Sequence, residues 1–206
     1  MFKGLIMITI VDYGVGNLRS VQRAIQRYYP EVIISNEEEQ ITKAKGIVLP
    51  GVGAFGDAVQ ELKRKGLFNL LKEVIPSKPT LGICLGMQLL LNKSEESPGV
   101  EGLGIVPGDV KKLELTKSIR VPHTGWNRIT GIKEPYFSGF AYFNHTYYCD
   151  VVDKSIVTAF SLHGIRFCVI FMYETILALQ FHPEKSKTIG ENILKYWVGS
   201  LQKQVN

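Results

Sequence analysis

Through about residue 92 the chain alternates strand and helix patterns: short β-branched runs, turns marked by Gly or Pro, then apolar residues at helical spacing. "MITIVDY" reads as a buried strand. It leads into "VGNLRSVQRAIQRYY", where Leu18, Val21, Ile25 and Tyr28 fall close to the helical repeat and Pro30 stops it. "VIIS" is a second strand, followed by the acidic "NEEEQITKA" and a weak helix. "GIVLPG" is a third strand ending in a Gly-rich turn, and "AFGDAVQELKRKGLFNLLKEVI" is helical with an interruption near Gly66. "PTLGIC" is a fourth strand, and "LGMQLLLN" a helix. Strands joined by helical crossovers lie parallel, so this half predicts an α/β, doubly wound, largely parallel sheet with helices on both faces.

From Gly99 onward the pattern changes. "GLGIVPGDVKKLEL", "FAYFNHTYYCDVV", "GIRFCVIFM" and "ILALQFHPE" are apolar runs separated by Gly, Pro and Asn, which predicts a β-rich second half with antiparallel pairs. "TIGENILKYWVGSL" is a closing helix. No repeat, linker or low-complexity segment interrupts the chain, and 206 residues with 45% hydrophobic content can bury one core, so a single domain over 1–206 is expected. The net charge of +5 is mild and scattered, with no dense Lys/Arg block among aromatics, which argues against a nucleic-acid partner. Three cysteines without a CxxC suggest neither a disulfide framework nor a zinc site and fit a reducing, cytoplasmic compartment. "MFKGLIMITIVDYG" imitates a signal peptide but lacks a small-residue cleavage site and runs into Asp12, so it reads as the first strand. No apolar run reaches the roughly 18 residues of a membrane span.

Chemistry concentrates at a few joints. Gly82-Ile83-Cys84-Leu85-Gly86 is a G-x-C-x-G form of the nucleophile elbow, in which a strand turns sharply into a helix and leaves the nucleophile exposed at the sheet edge. Flanking glycines give room, a helix N-terminus behind the sulfur favours the thiolate, and the Leu85 amide can hold an oxyanion. A buried structural cysteine is the plainer alternative. Among the four histidines, His182 stands out in "LALQFHPEKS". In an extended chain residues i and i+2 point the same way, so Glu184 can lie beside the ring and fix its tautomer. A surface-loop histidine is the alternative there, and no ligand cluster favours a metal. Pro50-Gly51-Val52-Gly53 ends another parallel strand on the same rim, where the amides of Val52 and Gly53 can complete an oxyanion hole; a plain turn is the alternative. No G-x-G-x-x-G opens a helix and no P-loop GK[ST] exists, which excludes dinucleotide and P-loop nucleotide sites.

"GICLGMQ" followed by "QFHPEKS" some hundred residues later resembles the class I, triad-type glutamine amidotransferases, whose fold is flavodoxin-like. "YGVGNLRSV", "PGVGAFGDAV", "GICLGMQLLL", "VPHTGWN", "YFNHTYY" and "QFHPEKS" together are similar to the glutaminase subunits of imidazole glycerol phosphate synthase, from about Ile8 to Leu194. The resemblance implies a Cys84 nucleophile, His182 as proton carrier and Glu184 as its orienting group. It also implies that Gln88 and the backbone of Thr146 and Tyr147 hold glutamine; by residue type alone Gln88 is an ordinary helix-surface amide and "FNHTYY" an aromatic strand. No cofactor is called for. The implied partner is a (β/α)8-barrel cyclase in a heterodimer, met by Asn17, Ser20, Arg23, Trp126, Tyr142 and Lys185. The resemblance further implies slow turnover without that partner, which we expect to act by flipping a peptide in the PGVG strand. Asn144 and the missing glycine before Gln180 depart from the pattern, as do a few extra N-terminal residues. The competing readings are a glutaminase subunit of another amidotransferase, and a cysteine peptidase or other cysteine hydrolase built on the same elbow.

Overall fold

A computed structural model describes residues 7–114, 119–132 and 137–203. The four N-terminal apolar runs form β1 (Ile8–Val11), β2 (Val32–Ser35), β3 (Gly46–Leu49) and β4 (Thr80–Ile83). Between and after them lie α1 (Leu18–Gln26), α2 (Glu38–Thr42), α3 (Phe55–Arg64), α4 (Leu67–Val74) and the short α5 (Leu85–Leu89). Gly66 divides α3 from α4 in a left-handed conformation, φ 73°, that glycine adopts without penalty. The first residues of the N-terminal apolar segment lie outside the described residues.

The second half supplies β5 (Lys93–Ser94), β6 (Gly108–Lys112), β7 (His123–Gly131), β8 (Gly139–His145), β9 (Tyr147–Val151), β10 (Val157–His163), β11 (Ile165–Tyr173), β12 (Ile176–Leu179) and α6 (Lys187–Lys203). Nine strands make one sheet in the order β2-β1-β3-β4-β12-β11-β10-β7-β8, and β5-β6-β9 make a second. The β2-β1-β3-β4-β12 portion is parallel and the β12-β11-β10-β7-β8 portion antiparallel. The doubly wound sheet with an antiparallel second half is thus present.

Two differences from the sequence reading bear on the site. "FAYFNHTYYCDVV" is not one strand: it breaks at Thr146, with β8 in the large sheet and β9 in the small one. Strands β7 and β10 contain runs that were not read as strands, because β7 alternates buried with exposed positions and carries few aliphatics. No helix among the described residues is long and apolar enough to cross a membrane.

Side chains alternate across the strands into two cores. Ile8, Ile10, Val48, Leu81 and Leu177 pack with Val21 and Ile25 of α1 and Trp197 of α6. Val11, Ile47, Leu49 and Ala178 pack on the other face with α2 to α5 and with Val110 and Cys149 of the small sheet. Each fully buried aliphatic contributes about 1.5–3 kcal/mol relative to exposure, and together these faces hold the C-terminal strand edges rigidly in register. Cys149 and Cys168 are buried and unpaired, as core residues.

Candidate active site

Cys84 follows β4 directly and precedes α5, with φ 51° and ψ −107°. Non-glycine residues rarely take such a conformation; it is held because β4 must turn at once into α5. The turn is possible only with glycine at 86: a Cβ there would lie 1.7 Å from the Leu49 carbonyl oxygen of β3. A Cβ at Gly82 would meet the Met87 backbone at 3.2 Å. The Cys84 amide donates to the Leu179 carbonyl at 2.7 Å, tying the elbow to β12.

Strand β12 runs parallel to β4, so the chain leaving it delivers His182 to the same edge. His182 Nδ1 and Glu184 Oε1 are 3.0 Å apart and both side chains are nearly fully buried. A carboxylate accepts, so Nδ1 donates and Nε2 is the nitrogen left for the sulfur. The route to this contact differs from the expected one: Pro183–Lys185 form a 3-10 turn rather than an extended segment. Burial, the largest influence, pushes the His182 pKa down. Hydrogen bonds to Cys84 and Glu184 and the charges of both outweigh it and raise the value to about 10. The protonated form of the ring is thus favoured, which places a proton on the Cys84 side of the imidazole.

Ser186 locks this turn. Its hydroxyl donates to the His182 carbonyl at 2.6 Å and accepts from the Tyr142 amide of β8 at 3.0 Å, while the residue is fully buried. Residue type alone did not flag it, although it closes the "HPEKS" motif.

Gln88 is 5% exposed, not a helix-surface amide. Its Nε2 donates to the Tyr147 carbonyl at 3.0 Å and to Gln180 Oε1 at 3.3 Å. Gln180 in turn donates to Cys84 Sγ at 3.8 Å. Gln180 was missed in the sequence, yet it stands two residues before His182, a spacing that could have pointed to it. Glu96 was missed as well. Its carboxylate accepts from the Phe55 amide at 2.7 Å and acts on Tyr147, whose pKa is raised first by burial and then by Glu96. The Thr146 carbonyl accepts from the Leu113 amide at 2.9 Å. Thus Cys84, Gln180, Gln88 and the Tyr147 carbonyl form one hydrogen-bonded line where the two sheets meet, with Thr146 next to it in the chain.

Since β3 neighbours β4, the Pro50–Gly53 turn lies against the elbow. Tyr13 donates its hydroxyl to the Pro50 carbonyl. A Cβ on Gly51 would lie 2.6 Å from the Tyr13 hydroxyl and 2.8 Å from Leu85 Cβ. Gly53 has φ 106° and open space around it, and Val52 is 42% exposed. The first half of the turn is clamped and the second half is free.

The class-I glutamine amidotransferase family model matches residues 9–198. The chain belongs to the class-I glutamine amidotransferases. Imidazole glycerol phosphate synthase subunit HisH of Bacillus cereus is 43% identical over 203 residues, covering 95% of this chain and 96% of that one. The protein of the same name from Rhodopirellula baltica is 44% identical over 195 residues, covering 92% and 95%. A crystal structure of a glutamine amidotransferase superposes with a TM-score of 0.74 at 17% identity, over 93% of this chain and 98% of that one. PurLQS from Thermotoga maritima gives 0.68 at 17% identity, over 98% and 99%. These two solved structures share the fold.

The residues assigned to a partner face on this amidotransferase come together around the triad. Ser20, Arg23 and Lys185 line a cavity of about 440 Å³ with Pro183 and Glu184. The Lys185 ammonium lies 5.4 Å from the Tyr142 ring, Tyr142 meets the 47% exposed Trp126 edge-on at 6.2 Å, and the Lys187 ammonium lies 5.7 Å from Trp126. Asn17 has a structural duty as well: its Oδ1 accepts from the Ser20 amide at 3.3 Å and caps α1. Asn144 is exposed, its Oδ1 accepting from Thr124 at 3.1 Å across the β7–β8 pair.

Proposed function

We propose that this amidotransferase hydrolyses glutamine to glutamate and ammonia and delivers the ammonia to a (β/α)8-barrel cyclase subunit. The cyclase forms imidazole glycerol phosphate and aminoimidazole carboxamide ribotide in histidine biosynthesis, in the cytoplasm. The observation that carries the reading is a buried Cys84–His182–Glu184 array joined by hydrogen bonds to Gln180, Gln88 and the Tyr147 carbonyl. HisH relatives at 43% identity support the cyclase partner.

Cys84 Sγ attacks the side-chain amide carbon of glutamine. The Leu85 amide, with Val52 and Gly53 across the turn, receives the oxyanion, each good donor being worth roughly 3–4 kcal/mol. His182 Nε2 protonates the departing nitrogen, the C–N bond breaks and ammonia leaves a γ-glutamyl thioester. His182, now neutral, takes a proton from water, which attacks the thioester; collapse releases glutamate and restores the sulfur. Glu184 holds the ring throughout. Ammonia then leaves through the ring of Trp126, Tyr142, Lys185, Ser20 and Arg23, where the cyclase seats.

The test is reconstitution with a barrel cyclase and its nucleotide substrate. Glutamine-dependent product formation is expected. Cys84→Ala should abolish it while leaving ammonia-dependent synthesis intact. Glutamate release persisting in Cys84→Ala would refute the assignment of the nucleophile.

A further inference from the structure

Three of the chain's four histidines lie outside the triad, and they gather in one place. His123 begins β7, His145 ends β8 and His163 ends β10. His123 is sandwiched between the rings of His163, centroids 4.0 Å apart, and Phe143, 4.7 Å apart. His123 Nδ1 and His145 Nε2 are 3.0 Å apart; His145 Nδ1 and the Tyr147 carbonyl are 2.8 Å apart; Asn127 Nδ2 and His123 Nε2 are 3.1 Å apart.

Both ends of this line dictate its direction. A carbonyl only accepts, so His145 Nδ1 carries hydrogen and its Nε2 is a lone pair, which requires His123 Nδ1 to donate and leaves His123 Nε2 as an acceptor. Asn127 is fixed independently of the histidines: its Nδ2 also donates to the Leu162 carbonyl at 3.0 Å, and its Oδ1 accepts from the Arg128 amide at 2.7 Å. Asn127 therefore donates to His123, His123 to His145, and His145 to Tyr147, with both rings neutral. The third ring, His163, donates from Nε2 to the Arg120 carbonyl at 2.8 Å and serves as a stacking wall.

The receiving atom is the carbonyl that also takes the Gln88 amide. Gln88 spends its other N–H on Gln180, so the atom left for a bound molecule is Oε1, an acceptor. Turning the Tyr147 carbonyl turns Gln88 and, through Gln180, the group that donates to Cys84 Sγ.

We propose that Asn127, His123 and His145 are positioning residues for the glutaminase: a one-directional relay that holds the Tyr147 carbonyl, and through it Gln88, in the orientation that binds glutamine. The inference rests on the glutaminase reading above. The relay begins on β7 next to Trp126, so the exposed strand and the glutamine pocket share one hydrogen-bonded line.

The test compares His145→Phe with His145→Asn in the full chain bound to its cyclase. Phe keeps the ring volume against Phe143 and Phe167 but has no donor. Asn loses volume but places an N–H near the former Nδ1. A packing role makes Phe the better replacement. The relay makes Asn the better one: KM for glutamine should rise about tenfold in His145→Phe and only about two- to threefold in His145→Asn, with the rate of Cys84 alkylation unchanged in both. A His145→Phe protein with KM equal to or below that of His145→Asn overturns the relay. Absence of glutaminase activity in the unmutated complex would instead overturn the reading on which it stands.

Discussion

The candidate catalytic histidine is seated by a buried hydroxyl. Ser186 Oγ bridges the His182 carbonyl and the Tyr142 amide, and Ser186→Ala removes both bonds at a fully buried position. The expected cost is about 1–3 kcal/mol of stability, read by denaturant unfolding, with kcat reduced about tenfold because the ring loses its fixed seat. A Ser186→Ala protein of unchanged kcat would show that the 3-10 turn holds His182 without it. Cys84, His182 and Glu184 were legible in the sequence because reactive residue types stand at joints whose flanking residues betray the turn. Ser186, Gln180 and Glu96 were not. Each is a common polar residue, and its role exists only through partners brought by folding: Tyr142 of β8, Gln88 of α5 and Phe55 of α3.

At the scale of elements, α6 carries two glycines with opposite consequences. A Cβ on Gly190 would sit 2.0 Å from the Pro183 carbonyl oxygen, in the turn that bears the triad, whereas a Cβ on Gly199 would meet nothing within 4 Å. Gly199→Ala should stabilise the helix by about 0.5–1 kcal/mol and leave activity alone. Gly190→Ala must push α6 from the Pro183–Lys185 turn, costing about 1–3 kcal/mol and at least tenfold in kcat. Parallel measurement of melting temperature and glutaminase rate separates the two, and Gly190→Ala with native activity would contradict the contact. A related point applies to the PGVG turn. Gly51 is clamped by Tyr13 and Leu85, so Gly51→Pro would damage packing as well as any peptide flip; Gly53→Ala meets no neighbour and acts only through the backbone, which it strains at φ 106°, so it should change activation by the cyclase without disturbing packing. The first half of the fold was readable because β1, β3 and β4 are buried on both faces and so appear as largely apolar runs, and the half-buried edge strand β2 is short and β-branched. The second half was less so: β7 alternates, and the break at Thr146 that sends β9 to another sheet leaves no Gly or Pro in "FNHTYY".

For the whole molecule, the histidines set opposite limbs of stability against pH. His182 is raised from 6.5 to about 10: burial opposes its charge, but hydrogen bonds and charge from Cys84 and Glu184 prevail. Its contribution is complete below pH 6.5, where folded and unfolded rings are both charged, and is lost as pH rises through about 10. His145 is lowered to about 3 by burial, partly offset by the bond to Tyr147, and further lowered by the charges of His123, His163 and His182. His123 is lowered to about 4 by burial and by His163. Their contributions are complete above pH 6.5 and are lost as pH falls toward those values, because the unfolded rings take protons that the folded rings refuse. Buried thiols add a further alkaline loss: Cys168 is raised from 9.0 to about 12 by burial, so the window between pH 6.5 and 9 belongs to His182. Stability should therefore peak near pH 6.5. Urea unfolding of the full chain at pH 4.5, 6.5 and 8.5 tests the assignment through variants. His145→Asn should flatten the acid limb and leave the alkaline one, and His182→Asn should do the reverse. An acid limb unchanged in His145→Asn would mean that His145 is not the group refusing the proton, and an alkaline limb unchanged in His182→Asn would mean that the triad histidine is not charged at neutral pH.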